Sequence, residues 1–189
     1  MISELESILC KDVIIRQCEP YSQIQLKETA SDSKIITLDI KRLPKESIAF
    51  TLDYKDPRFQ QLSPYLNKSA PGINTSCDLV IVWEEDDQTN ALLLDLKSNS
   101  NKPEKFKMQL DNSEVFLKYI FNVIELHFKE IVVKPVNIIK TIANTQSSKY
   151  MRNETCLFRK KSSDSPYNIV SLAADDNQRH ATVYFKQLI

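Results

Sequence analysis

The sequence predicts an α/β fold, a mixed central β-sheet flanked by helices, formed as a single domain over residues 1–189. Two short, almost wholly apolar runs, at 77–83 and 91–98, have the continuous hydrophobicity of strands covered on both faces. A long stretch at 103–128 then carries apolar residues at helical spacing. Runs with the alternation of strands lie before and after these elements, and 189 residues suit one sizeable core.

The elements follow in order. Residues 1–10 read as a short helix with Ile2, Leu5, Ile8 and Leu9 on one face. From Asp12 to Tyr54 the period becomes that of strands, at 13–17, 23–27, 35–41 and 48–53, broken by Glu19-Pro20, Ser31-Asp32-Ser33 and Leu43-Pro44. A short helix is expected within 57–67 and a loop at 69–74. The two apolar strands come next, joined by a polar hairpin loop at 84–90 whose four acids read as a solvated tip. In the long helix Pro103 suits the first turn, and Phe106, Leu110, Leu117, Phe121, Ile124 and Phe128 form the buried stripe. Residues 131–136 and 137–142 are candidate strands, 145–165 is polar, basic and loop-rich, and 169–173 and 182–188 close the fold as strands.

Composition excludes several classes. Hydrophobic residues make up 42% and charged residues 26%, which is not the balance of a wholly disordered chain. Lys+Arg and Asp+Glu are 25 each, so any binding of nucleic acid must come from local charge rather than net charge. The single glycine, Gly72, leaves no room for a G-x-G-x-x-G turn or a glycine-rich phosphate loop. Two histidines, His127 and His180, supply no zinc motif. Cys10, Cys18, Cys77 and Cys156 show no C-x-x-C spacing, and no leader-like segment opens the chain, so four reduced thiols in a cytoplasmic protein are expected. No apolar stretch nears the ~20 residues that span a bilayer, so no membrane partner is expected.

The chemistry is concentrated where the apolar strands are interrupted. Asp95 and Lys97 are two apart in a leucine-rich strand and share a face. Asp78 interrupts the preceding strand in the same way. If the hairpin closes by pairing Trp83 with Asn90, Asp78 falls opposite Asp95 on one side of the sheet. Like charges so placed repel one another, and a divalent cation between them reverses the sign of that interaction. The plain structural alternative is a buried or edge ion pair between Asp95 and Lys97, with Asp78 capping a turn.

An acid at the start of one strand, then acid-x-Lys in the next, then a helix, resembles the PD-(D/E)xK nuclease superfamily. The pattern stands here as Asp78, then Asp95-Leu96-Lys97, then the helix from Pro103, within a core motif region at 72–128. Cys77 stands where the superfamily's variable proline would be. The resemblance implies a restriction-endonuclease-like fold and metal-dependent hydrolysis of phosphodiester bonds in nucleic acid, DNA being the expected form, in restriction, repair or anti-phage defence. It implies Mg2+ or Mn2+ held by Asp78, Asp95 and the Leu96 carbonyl, with Lys97 beside the attacking water. It also implies an acid from an early helix, Glu4 or Glu6, and a role at the site for Gln109 as a substrate contact; Ser98 and Asn99, which follow the strand at the site end, are further candidates to touch substrate.

The segment 134–161 holds seven basic residues against Glu154 alone, interleaved with Tyr150 and Phe158 and followed by Tyr167. That composition suits contact with a phosphate backbone, with Lys160 and Lys161 as the candidates to test. A homodimer or a protein partner is left open. The rival reading is a catalytically silent nuclease-like domain that binds a protein or nucleic acid and needs neither metal nor Lys97.

Overall fold

The computed structural model describes residues 1–28, 33, 35–59, 62–67, 69–97, 103–130, 134–146, 156–159, 166–173 and 179–189. A helix α1 (Ile2–Ile8) precedes strands β1 (Ile14–Ile15), β2 (Ile24–Lys27), β3 (Thr37–Lys41) and β4 (Ser47–Phe50). The hairpin strands β5 (Leu79–Glu85) and β6 (Gln88–Lys97) follow, and then the long helix α2 (Pro103–His127). The last strands are β7 (Asn137–Gln146), β8 (Cys156–Arg159), β9 (Tyr167–Ala173) and β10 (His180–Tyr184).

Seven strands form a mixed sheet in the order β1-β4-β5-β6-β7-β9-β8. The β1 to β6 side is antiparallel, β6-β7-β9 is parallel, and β8 runs antiparallel at the far edge. A second sheet has the order β10-β3-β2, its β10-β3 pair parallel.

Period-two burial explains the layering. On β5 and β6, Leu79, Ile81, Trp83, Leu92, Leu94 and Leu96 face the small sheet and meet Ile24, Leu38, Ile40 and Val183 there. Val80, Val82, Ala91 and Leu93 face the other way and pack on Leu5 of α1 and on Leu110, Leu117 and Ile124 of α2. The arrangement is therefore helices, large sheet, small sheet. The expectation of a sheet flanked by helices is corrected on one face: both helices cover the same side, and three strands cover the other. The reason is that β2, β3 and β10 each bury only alternate residues, so each has one face to hide and a sheet hides it best.

The boundaries shift in several places. The hairpin turn is tighter than the expected loop at 84–90, because the ladder runs to Glu85↔Gln88 and leaves only Asp86 and Asp87, both at positive φ. That is the backbone of a two-residue primed turn, which Asp tolerates. The short helix expected within 57–67 is a 3-10 turn at Pro57–Phe59. The expected strand at 131–136 has no extended pairing over 134–136, and its other residues lie outside the described ones. The loop-rich reading of 145–165 missed β8, a strand of four residues, too short for its alternation to stand out from the polar sequence around it. His180 opens β10, and its Nε2 lies 3.1 Å from Asp39 Oδ2. Among the described residues no helix is long and apolar enough to cross a membrane.

Candidate active site

The hairpin has the register that pairs Trp83 with Asn90, and its ladder reaches Leu79↔Leu94. One step further, Asp78 and Asp95 meet at the end of β5, on the face that also carries Val80 and Leu93 toward α2. The Asp78 carboxylate accepts the Leu96 N–H at 2.6 Å. A residue's N–H and C=O point to the same side of a strand, so the Leu96 carbonyl is also aimed past the end of β5, on the Asp78 side. Asp95 is completely buried, at 0% exposure, with Lys97 Nζ 2.8 Å from Oδ1. Its Oδ2 is buried and receives no hydrogen bond. Lys97 is 18% exposed and lies over the Phe106 ring of α2, 5.2 Å from the centroid.

The electrostatics follow from this crowding. Burial pushes the Asp78 carboxyl up, the neighbouring Asp95 charge adds to the rise, and Lys97 only partly offsets it, leaving the group at about 8. Asp95 is also raised, by burial first, with Lys97 opposing. Burial disfavours the Lys97 ammonium, but the two acids outweigh it and its pKa rises. Two carboxyls and one ammonium thus share a pocket short of positive charge. Burial pushes the Cys77 thiol up to about 12, which keeps it neutral and unsuited to nucleophilic work.

Asp53 was missed by sequence reasoning. It lies just beyond β4, and its charge acts on both Asp78 and Asp95. Asp53 and Asp78 line the same cleft of about 590 Å³. Glu4 does not take this place. It pairs with the Met1 amino group at 3.0 Å, which also lies 3.7 Å from Glu84 near the hairpin tip, so α1 starts at the opposite end of the hairpin. Glu6, on the same short helix, is exposed.

Gln109 reaches the approach to the site rather than the acids themselves. Its Nε2 donates to the Ser76 carbonyl at 3.0 Å, and its Oε1 is buried without a partner. It belongs to a row on α2 that ties down 72–77. Asn112 Nδ2 donates to the Gly72 carbonyl at 2.6 Å and to the Thr75 carbonyl at 3.1 Å. Ser113 Oγ accepts the Cys77 N–H at 2.8 Å and donates to the Gln109 carbonyl. Gly72 has φ +77°, a backbone conformation that side-chain-bearing residues rarely adopt, and a Cβ there would also displace the Met108 side chain. Neither Asn112 nor Ser113 was singled out from the sequence, because their partners are main-chain groups of a loop.

Ser98, Asn99, Lys160 and Lys161 lie outside the described residues. Two lysines of the basic segment are already engaged. Lys134 donates to the Asp87 carbonyl at the hairpin tip, at 2.9 Å. Lys140 pairs with Asp111 at 2.6 Å and Glu114 at 2.5 Å, and the Tyr167 hydroxyl donates to Asp111 at 2.9 Å.

The donor set near Asp78 consists of carboxylate and carbonyl oxygens, which suit a hard cation such as Mg2+ or Mn2+, and the undonated Oδ2 of Asp95 has the lone pairs for one. Among the described residues no three His, Cys, Asp or Glu side chains converge on one point. The side-chain ligands on offer are therefore Asp78 and Asp95, with Asp53 acting through its field. Comparison with protein-family models, with curated proteins and with solved structures gave no match.

Proposed function

We propose that the protein is a metal-dependent phosphodiesterase acting on nucleic acid, DNA in the first instance. The observation that carries this reading is one buried acid pair, Asp78 and Asp95, beside Lys97, with Asp78 on the wall of a cleft. Asp78, Asp95 and the Leu96 carbonyl would hold Mg2+ or Mn2+. A divalent cation supplies Lewis-acid polarisation of a phosphoryl oxygen and a more acidic coordinated water. The chain's own contribution is positional. Lys97 keeps its proton, because the acids favour the ammonium, and it can orient a water and stabilise charge developing on phosphate oxygens. The α2 row holds the backbone at 76–77, which fixes Asp78.

The test is cleavage of plasmid and oligonucleotide substrates with Mg2+, Mn2+ or EDTA, alongside Lys97→Ala. Metal-dependent cleavage that disappears in EDTA and in the variant is expected. Absence of cleavage in wild-type protein under all three conditions removes the catalytic reading. The closed contact of Lys97 with Asp95 at 2.8 Å favours the rival, a silent binding domain held together by that ion pair, in that event.

A further inference from the structure

The cleft beside Asp78 is walled by β2 and by the segment after β4, with Asp78 and Leu96 at one end. Three side chains on its walls have no part in the chemistry proposed above: Lys27, Tyr54 and Lys55. Lys27 and Lys55 are exposed, and neither ammonium has an ion pair or hydrogen bond among the described residues. The neighbouring acid Asp56 is already matched by Arg58, whose Nε and Nη2 donate to it at 3.0 and 2.9 Å. Tyr54 is 37% exposed and is held edge-on by Phe59, with ring centroids 5.7 Å apart. A steadied aromatic ring and two ammoniums on the walls of one cleft, which Glu28 and Asp53 also line, are the groups that single strands use, the base stacking on the ring and the phosphates meeting the ammoniums.

The dimensions agree. About 590 Å³ lies within the roughly 300–1,000 Å³ of sites that enclose one small-molecule-sized group, which is room for a nucleotide. Asp78 lines the same cleft as Lys27, Tyr54 and Lys55, so a strand held there lies beside one of the two acids. The geometry points to single-stranded nucleic acid as the substrate class, entering between Lys27 and Lys55 with Tyr54 stacking on a base. This deepens the phosphodiesterase reading and rests on it for the fate of the bound strand.

Binding is measured by fluorescence anisotropy with a short fluorescein-labelled single strand and the same strand in a duplex. The full chain is used in EDTA, so that binding is read without turnover. The single strand should bind at least about tenfold tighter than the duplex. Tyr54→Ala should weaken single-strand binding by roughly 5- to 150-fold, the range of stacking one base on an aromatic ring, and Tyr54→Phe should restore it. Lys27→Ala with Lys55→Ala should flatten the salt dependence by roughly 1.4 in slope, about 0.7 for each phosphate that is no longer neutralised. Thermal melts check that each variant is folded. Duplex bound as tightly as single strand, or single-strand binding untouched by both the tyrosine and the lysine changes, overturns the assignment. Single-strand binding that follows these variants, with no metal-dependent cleavage in the separate assay, supports the cleft and defeats the catalytic reading. Cleavage of duplex alone does the opposite.

Discussion

Asp95 is a buried carboxylate with a lysine on one oxygen and nothing donating to the other, facing a second acid whose pKa is raised. Asp95→Asn keeps the shape and removes one of the two repelling charges. The metal-free melting temperature should therefore hold level or rise slightly, while stabilisation by Mg2+ and any cleavage disappear. Lys97→Ala should keep most of the Mg2+ stabilisation and abolish cleavage. If Asp95 and Lys97 are only a structural pair, each change instead orphans a buried partner and costs about 3–5 kcal/mol, with no Mg2+ effect on the wild-type melt. The raised pKa of Asp78 sets a sign for pH. Its folded form keeps a proton up to about 8, whereas the unfolded chain releases it near the ordinary value of 3.8. The folded state thus binds more protons across that window, and stability falls as pH rises through it. Denaturation series in EDTA between those limits should show this decline, and Asp95→Asn should make it shallower. A stability that climbs over the whole window would show that the acid pair does not govern it.

Along α2 one side is a core stripe and another is a clamp. Phe106, Leu110, Leu117, Phe121 and Ile124 were legible because burial on a helix repeats at a fixed spacing, and all are buried. Phe128 falls just past the last turn and is only partly buried. Gln109, Asn112 and Ser113 were opaque in a different way. A polar residue on a helix looks the same whether it faces water or binds a loop carbonyl, and only tertiary structure separates the two. The clamp has a measurable consequence. Ser113→Ala leaves the buried Cys77 N–H without its acceptor and should cost about 1–3 kcal/mol, seen as a lower urea midpoint at unchanged slope. Because Cys77 adjoins Asp78, cleavage should fall further than the drop in stability explains. The hairpin register was legible for the opposite reason: a short polar connection between two apolar runs leaves few pairings that keep both acids on one face.

At the scale of the molecule, the second sheet was the part least legible. A strand was expected near each of its three, the last at 182–188 where the structure has His180–Tyr184 and then a 3-10 turn at Phe185–Gln187, but nothing local ties β3 to β10, whose His180 and Asp39 meet across 141 residues of sequence. Trp83 of the large sheet and Phe185, just after β10, make the joint, edge to face with centroids 4.9 Å apart. Phe185→Ala should open that joint and cost about 3–5 kcal/mol, measured by chemical denaturation. Asp53 was hidden by a strand pairing the sequence does not show, since the β4–β5 register, Phe50↔Val80, brings the end of β4 beside Asp78. The parallel pairing of β3 with β10 also bears on how the chain is made. A ribosome adds about 5–20 residues each second, so β3 waits roughly 7–30 s for its partner to be synthesised. During that interval β3 has only β2 as a paired strand and its other edge is open, and a chain stalled before His180 should be a client of chaperones, bound in pull-downs of arrested nascent chains and released once the strand from His180 to Tyr184 has emerged.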